Sequence, residues 1–199
     1  MAYDIKNVFY LDTELTMPVA STTGPGDADT SNTVQLDLSA YIDPISRGRS
    51  KGTGLAIYKV HYAVAASSEG GKPSVMTEAG SFRAGLIAGA GFGSQTGATL
   101  TGEASFPSPN NALAVMGFDW YGAKSTVANA STPGGDTFTR TFLEPSKDVP
   151  YVCVRDNVCL MATMLTPMTT VSYIGVRLEC AQITLDQATL NQLLRTQTV

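Results

Sequence analysis

The side chains that most often carry out catalysis are scarce in this sequence. Its one histidine, His61, would have to serve any Ser-His-Asp or Cys-His arrangement. His61 lies between Val60 and Tyr62 in a predicted strand, an awkward place to present a base, and no GxSxG or HExxH motif accompanies it. Two carboxylates far apart in sequence leave a glycosidase open, but one tryptophan is few aromatics for a sugar cleft. We assign no catalytic residue and predict that the protein is not an enzyme.

The alternation of side chains around His61 predicts the face of the strand on which it lies. Over residues 55–66, one face carries Tyr58, Val60, Tyr62 and Val64, and the other carries Ile57, Lys59 and His61. We therefore expect His61 to be a surface or interface residue on the more polar face. The alternative is a pH-sensitive contact, because histidine titrates at about pH 6.5.

The cysteines do not have the spacing of a metal site. Cys153, Cys159 and Cys180 cannot all pair within one chain, and no pair of them forms a CxxC motif. His61 alone cannot complete a common zinc set. We predict three small, buried, apolar residues in a protein made in a reducing cytosol, with no metal ligand among them.

Glycine-rich and acidic segments also lack the spacing of known binding loops. Asp27 and Asp29 invite a calcium site, but the glycine and terminal glutamate of an EF-hand loop are absent. The stretch 82–102 has neither P-loop nor GxGxxG spacing, so no cofactor-binding residue is assigned. Gly89, Gly91 and Gly93 recur at every second position, which predicts a strand face kept bare for close packing, or else a mobile loop.

Charge and hydropathy exclude several partners. The net charge of −4 argues against a grip on nucleic acid, which needs clustered lysine and arginine. The only basic cluster is Arg47, Arg49 and Lys51, predicted to be a solvated loop, with a salt bridge to a neighbouring subunit or a phosphate contact as alternatives. The N-terminus lacks a signal-peptide core, and no apolar run approaches the roughly 20 residues of a membrane span. Charged residues make up only 15% of the chain, which favours a surface covered by copies of the same protein.

The strand pattern is strongest near the C-terminus. Over residues 172–183, Ile174, Val176, Leu178 and Cys180 occupy alternate positions, which predicts a long strand with one apolar and one polar face. Further strands are predicted over residues 34–38, 112–121 and 137–143, with Trp120 in the core. A hairpin is predicted over residues 151–165, turning at residues 155–157, and a short helix capped by Thr184 and Gln187 follows. This pattern indicates a β-sandwich or barrel.

The chain divides into three predicted units. Residues 1–32 form an N-terminal arm and flexible loop, in which residues 5–11 are either a first strand or an arm that pairs only with a partner. Residues 33–185 form the β-sandwich, and residues 186–199 form a short C-terminal helix and tail. The polar loops over residues 18–32 and 122–136 are long, and long loops often carry contacts.

Three runs of sequence resemble small capsid proteins of icosahedral viruses that infect bacteria and archaea. They are VQLDLSAYIDPISRGRSKGTGLAIYKVHYAV (34–64), PYVCVRDNVCLMATM (150–164) and VSYIGVRLECAQITLDQATLNQLL (171–194). The resemblance implies an all-β protein with a single jelly-roll β-sandwich of about eight to ten strands, an extended N-terminal arm and a short C-terminal helix. It also implies a coat subunit whose partners are copies of itself in capsomers, located in the virion. A second coat or vertex protein and an internal membrane stay open as further partners, and no direct binding of nucleic acid is expected.

Two alternatives to a coat subunit stay open at this point. The first is a phage tail-tube subunit or another ring-forming β-barrel, which would use the same strands. The second is a carbohydrate-binding β-sandwich that stacks sugars on Trp120 and on loop tyrosines such as Tyr121.

Overall fold

The computed structural model describes residues 8–17, 31–43, 51–65, 80–89, 109–122, 138–166 and 171–197. These residues form nine strands and one helix, in the order β1 (Phe9–Met17), β2 (Ser31–Asp37), β3 (Lys51–Ala65), β4 (Ser81–Ala88), β5 (Ala114–Tyr121), β6 (Phe138–Leu143), β7 (Tyr151–Cys153), β8 (Asn157–Thr166), β9 (Ser172–Asp186) and α1 (Gln187–Thr196). Arg47, Arg49 and most of the predicted loops over residues 18–32 and 122–136 lie outside the described residues. Residues 31–32 of the first loop belong instead to β2.

The strands are arranged in two antiparallel sheets. The first sheet has the order β1-β9-β3-β7, and the second has the order β2-β8-β4-β5-β6. The chain crosses between the sheets repeatedly, so that strands from opposite ends of the sequence become neighbours, as in nested Greek keys. With β6 added beyond β5, this is the strand order of a jelly roll. The predicted fold class, a jelly-roll β-sandwich with a short C-terminal helix, is confirmed.

Strand β9 is the centre of the first sheet. It pairs with β1 on one side and with β3 on the other along most of its length. Its alternate residues Ile174, Val176, Leu178 and Cys180 are buried between the sheets, as predicted. Because successive side chains of a strand point to opposite faces, Arg177 and Glu179 lie on the outer face of this sheet.

The core between the sheets is aromatic on the side of the second sheet. The ring of Phe82 stacks on Trp120 at a centroid distance of 5.3 Å and meets Phe118 edge-on at 6.1 Å. Tyr62 crosses from the first sheet to stack on Phe118 at 4.1 Å. Trp120 is only 3% exposed, so its predicted place in the core is confirmed.

A bulge in β3 corrects the predicted faces of that strand. Ile57 is paired with Cys180 and Lys59 with Glu179, so Tyr58 is an extra residue without its own partner on β9. Ile57 therefore belongs to the main core, whereas Tyr58 packs outside it with Ala56 and Ala181. The prediction assumed unbroken alternation, and a one-residue bulge reverses the faces on one side of it.

The predicted hairpin over residues 151–165 is wrong. Strand β7 pairs with β3 in the first sheet, and β8 pairs with β2 and β4 in the second. The intervening turn therefore carries the chain from one sheet to the other. The free edge of β7 is covered by the side chain of Gln197, whose Nε2 donates to the Val152 carbonyl oxygen at 2.7 Å and whose Oε1 accepts from the Val154 backbone N–H at 3.3 Å.

The first strand is displaced from its predicted place. Strand β1 begins at Phe9 and ends at Met17, whereas the prediction was residues 5–11. The alternation of this segment is hard to see in the sequence because Thr13, which faces inward, is polar. It lies between two outward-facing acids, Asp12 and Glu14. Strand β1 is part of the first sheet, so this portion of the predicted N-terminal unit lies within the sandwich. The three-unit division of the chain otherwise stays a prediction.

The short C-terminal helix is present, but its cap differs from the prediction. Asp186 is the N-cap residue, and its side chain accepts a hydrogen bond from the Thr189 backbone N–H at 2.7 Å. Thr184, the predicted cap, is still within β9. Leu190 is buried and anchors the helix. Gly89, predicted to lie either on a bare strand face or in a mobile loop, is a bend with a φ of 114° directly after β4. Gly91 and Gly93 lie outside the described residues.

Candidate functional site

The outer face of the first sheet is polar and concave. Three cross-strand rows from β1, β9 and β3 define it: Tyr10, Glu179 and Lys59; Asp12, Arg177 and His61; Glu14, Gly175 and Ala63. We call this surface the sheet-one face. His61 is exposed on it, so its predicted place on the polar side of β3 is confirmed.

The rows enclose a shallow depression of about 720 Å³. Volumes of this size are within the range of small-molecule sites. Gly175 and Ala63 line it, the first without a side chain and the second with only a methyl group. A Cβ atom placed on Gly175 would meet no other atom within 4 Å, so the space above this central strand is open.

Two contacts order the side chains around the depression. The His61 Nε2 and the Glu179 Oε1 are 2.8 Å apart. The Arg177 guanidinium lies 5.9 Å from the centre of the Tyr10 ring, within the range of a cation–π contact. Asp12 and Glu14 form no hydrogen bond or ion pair with the residues that the structure describes. The sheet-one face therefore presents the carboxylates of Asp12 and Glu14 as hydrogen-bond acceptors. It also presents the Arg177 guanidinium, whose N–H groups have no carboxylate partner in the described part of the chain.

The pair of His61 and Glu179 predicts a difference in acid stability. The hydrogen bond from His61 holds the pKa of Glu179 below its ordinary value of 4.5. A carboxyl whose pKa is lowered in the folded state stabilises the fold above its ordinary pKa, and this contribution is lost as pH falls through the folded value. We expect wild type to melt at a higher temperature than Glu179→Gln at pH 5–6, with the difference shrinking as pH falls below 4.5 and vanishing only below the lowered pKa of Glu179. Thermal melts of both proteins from pH 3 to pH 6 would measure this, and a difference independent of pH would contradict it.

The β6 side of the second sheet is a further exposed feature of the described residues. Strand β6 pairs with β5 on one side, and no strand among the described residues pairs with its other side. Phe138 on β6 is 59% exposed, and Tyr121 beside it on β5 is 39% exposed. Their ring centres are 6.2 Å apart. We call this surface, with the exposed Thr139, Arg140 and Thr141, the β6 edge.

An ion pair supports the strands that carry the β6 edge. The Arg83 Nε donates to the Asp119 Oδ1 at 2.6 Å, and its Nη2 donates to Oδ2 at 3.1 Å. The Asp119 side chain is only 5% exposed. The guanidinium also lies 4.9 Å from the centre of the Phe142 ring, which in turn lies directly over Gly117. A Cβ atom on Gly117 would be 2.3 Å from that ring, so a larger residue here would force Phe142 to shift.

The three cysteines are buried and unpaired, as predicted for small apolar residues. Burial raises the pKa of the Cys153 and Cys159 thiols to about 11 and that of Cys180 to about 12. A thiol with a raised pKa is a poor nucleophile and a poor metal ligand, because the thiolate is the reactive form. Across the described ranges, no three His, Cys, Asp or Glu side chains are grouped so that they could hold a metal ion.

Comparison with known proteins gives a distant likeness to viral coat proteins. No protein-family model matches the chain, and no curated protein matches it in sequence. Among solved structures, it is similar to VP1 of Trichodysplasia spinulosa-associated polyomavirus in complex with sialylated glycooligomers, at 12% identity and a TM-score of 0.42, covering 89% of this chain and 95% of that one. For New Jersey polyomavirus VP1 the identity is 8% and the TM-score 0.40, covering 89% of this chain and 100% of that one. For Merkel cell polyomavirus VP1 in complex with GD1a oligosaccharide the identity is 10% and the TM-score 0.39, covering 91% of this chain and 100% of that one. Our fold assignment depends on the strand order, not on this likeness.

The structure brings together residues that the sequence analysis did not connect. Tyr10, Asp12 and Glu14 reach the depression beside His61 only through the pairing of β1 with β9. Lys51, from the predicted basic cluster, is exposed and lies opposite Asp186. No helix within the described ranges is long and apolar enough to cross a membrane.

Proposed function

We propose that this protein is a structural coat subunit that assembles with copies of itself into the shell of an icosahedral virus. The observation that carries the proposal is the β6 edge, an open sheet edge that presents the exposed rings of Phe138 and Tyr121. Jelly-roll sandwiches occur in viral coats, but also in lectins and cupins, so the fold alone does not decide between these functions.

Among the residues that the structure describes, the β6 edge has few of the features that prevent sheet edges from pairing with other chains. Soluble proteins protect such edges with charges, prolines or covering elements, because unpaired backbone groups invite another strand. Within β6 the one charged residue is Arg140. Exposed aromatic side chains are typical anchors of protein interfaces. Together with a charged fraction of 15%, these features support contacts between identical subunits.

The remaining parts of the proposal follow from a structural role. The protein would act without catalysis or a cofactor, and would be located in the virion. A bacterial or archaeal host rests on the resemblance in sequence alone. A second coat or vertex protein and an internal membrane stay open as partners, and direct contact with the genome is not expected from a chain of net charge −4.

The proposal predicts that Phe138→Glu abolishes assembly without unfolding the subunit. A carboxylate in a dry contact between subunits would lose its hydration, and each 1.4 kcal/mol of lost contact energy weakens association about tenfold. Because Phe138 is exposed in the single chain, we expect its stability to change by no more than about 0.5 kcal/mol. Light scattering and negative-stain microscopy would measure particles, and thermal melting would measure the fold.

Val149→Glu is the matched control, because Val149 is 74% exposed but lies outside the strands. We expect it to assemble as wild type does. Assembly of Phe138→Glu at wild-type concentrations would show that the β6 edge is not a subunit contact. Tubes or open rings instead of closed shells would favour the tail-tube alternative and contradict a shell.

A carbohydrate-binding protein that stacks sugars on Trp120 is not supported. The indole is buried against Phe82, so no sugar can reach its face without unfolding the core. Tyr121 is exposed, but its ring belongs to the β6 edge, next to Phe138.

A further inference from the structure

We propose that the depression of the sheet-one face is a binding site for a neutral oligosaccharide of two or three sugar units. The buried Trp120 does not line the site, and none of the residues that line it belongs to β6. It goes beyond the proposed coat function and does not depend on it, because it uses side chains of one subunit only.

The open space over Gly175 is the first observation. Gly175 lies on β9, inside the first sheet, where glycine is less favourable than alanine. No atom of the described residues lies within 4 Å of where its Cβ would be, and its φ is not in the left-handed region. Neither internal packing nor backbone geometry therefore requires glycine here. A bare position in a strand is typical of a place where another molecule approaches the backbone.

The mixture of free donors and acceptors is the second observation. The carboxylates of Asp12 and Glu14 can accept hydrogen bonds, and the Arg177 guanidinium can donate them. A simple anion would be repelled by the three acids Asp12, Glu14 and Glu179, and a simple cation would leave the donors of Arg177 unused. Sugar hydroxyl groups both donate and accept, and carry no charge. A neutral sugar is thus the ligand class that uses this set of side chains.

The shape of the site is the third observation. Its three rows are two residues apart, so the distance from Tyr10 to Glu14 along β1 is roughly 13 Å. This length suits two or three pyranose rings laid along the strand. Tyr10, at one end, is 56% exposed, and its ring offers an apolar surface to the C–H groups of a sugar. Gly175 and Ala63 form the floor at the other end.

The test measures binding of the full chain to an array of defined neutral di- to tetrasaccharides, followed by saturation-transfer NMR with the strongest binder. We expect wild type to bind at least one of them. Gly175→Val fills the floor with a side chain that strands favour, so we expect at least a tenfold loss of affinity with a melting temperature equal to or above that of wild type. Tyr10→Ala should lose affinity to a similar extent.

Thr16→Val is the control, because Thr16 is exposed on the same strand and face but outside the depression. Its binding should equal that of wild type. Failure of wild type to bind any neutral oligosaccharide, or full binding by Gly175→Val, would overturn the proposal. Particle formation is measured on the same samples. Loss of particles in Gly175→Val without any sugar binding would also overturn it, and would assign the face to contacts between copies. Normal particles with no sugar binding would leave the coat function standing alone.

Discussion

Replacing Trp120 by alanine is expected to destabilise the protein by about 3–5 kcal/mol, the usual cost of removing a large aromatic side chain from a core. The indole is 3% exposed and stacks on Phe82, which also contacts Phe118. Its removal leaves a cavity in the aromatic part of the core. In a chain of this size, such a loss lowers the Tm by about 6–20 °C. Urea unfolding followed by circular dichroism would measure the free energy of unfolding.

The neighbouring residue provides the control. Tyr121 is next in the sequence but points to the opposite face of β5, where it is exposed. We expect Tyr121→Ala to cost less than about 1 kcal/mol. If Trp120→Ala instead kept wild-type stability, this would contradict the packing of Trp120 in an aromatic core between the two sheets.

Replacing Arg83 by methionine is expected to cost about 2–4 kcal/mol, somewhat less than the 3–5 kcal/mol lost when a fully buried ion pair is broken, because Arg83 is partly exposed. Methionine keeps much of the side-chain stem but removes both hydrogen bonds to Asp119. The carboxylate of Asp119 would then be buried without its cation. The free energy of unfolding in urea measures the effect.

A second substitution separates the ion pair from packing. In Arg83→Met/Asp119→Asn the uncompensated charge is gone, so we expect the double variant to recover part of the stability lost in Arg83→Met. Such non-additivity is the signature of two groups in contact. If the stability losses of Arg83→Met and Asp119→Asn, measured singly, add up to the loss of the double variant, the ion pair does not couple β4 to β5.

The parts of the fold that could be predicted are those with a clear apolar pattern. Residues 172–183 alternate apolar and polar side chains, the segment before Trp120 is a short apolar run, and both are strands in the structure. Alternation identifies a strand and its faces, but not its partner. Strands β7 and β8 are adjacent in sequence yet belong to different sheets, because the choice of partner is made by core packing far from the turn. The bulge at Tyr58 is also invisible to a pattern that assumes a strict period of two.

The candidate site was less predictable, because its residues come from distant parts of the chain. His61 could be placed on a polar face from the sequence, but Asp12 and Glu14 could not be placed beside it. They face the depression because β1 pairs with β9 in one particular register, which brings Asp12 opposite Arg177. The signal that was present is the outward series Tyr10, Asp12 and Glu14, which alternates with inward residues once β1 is given its true bounds.

The central claim is that this β-sandwich assembles with copies of itself into a shell. It is tested most directly by the size of the native particle. Light scattering coupled to gel filtration, with microscopy of the same fractions, would measure it. We predict closed particles many times heavier than the 20.9 kDa chain. A single species of 20.9 kDa that stays dispersed at high concentration would contradict the claim.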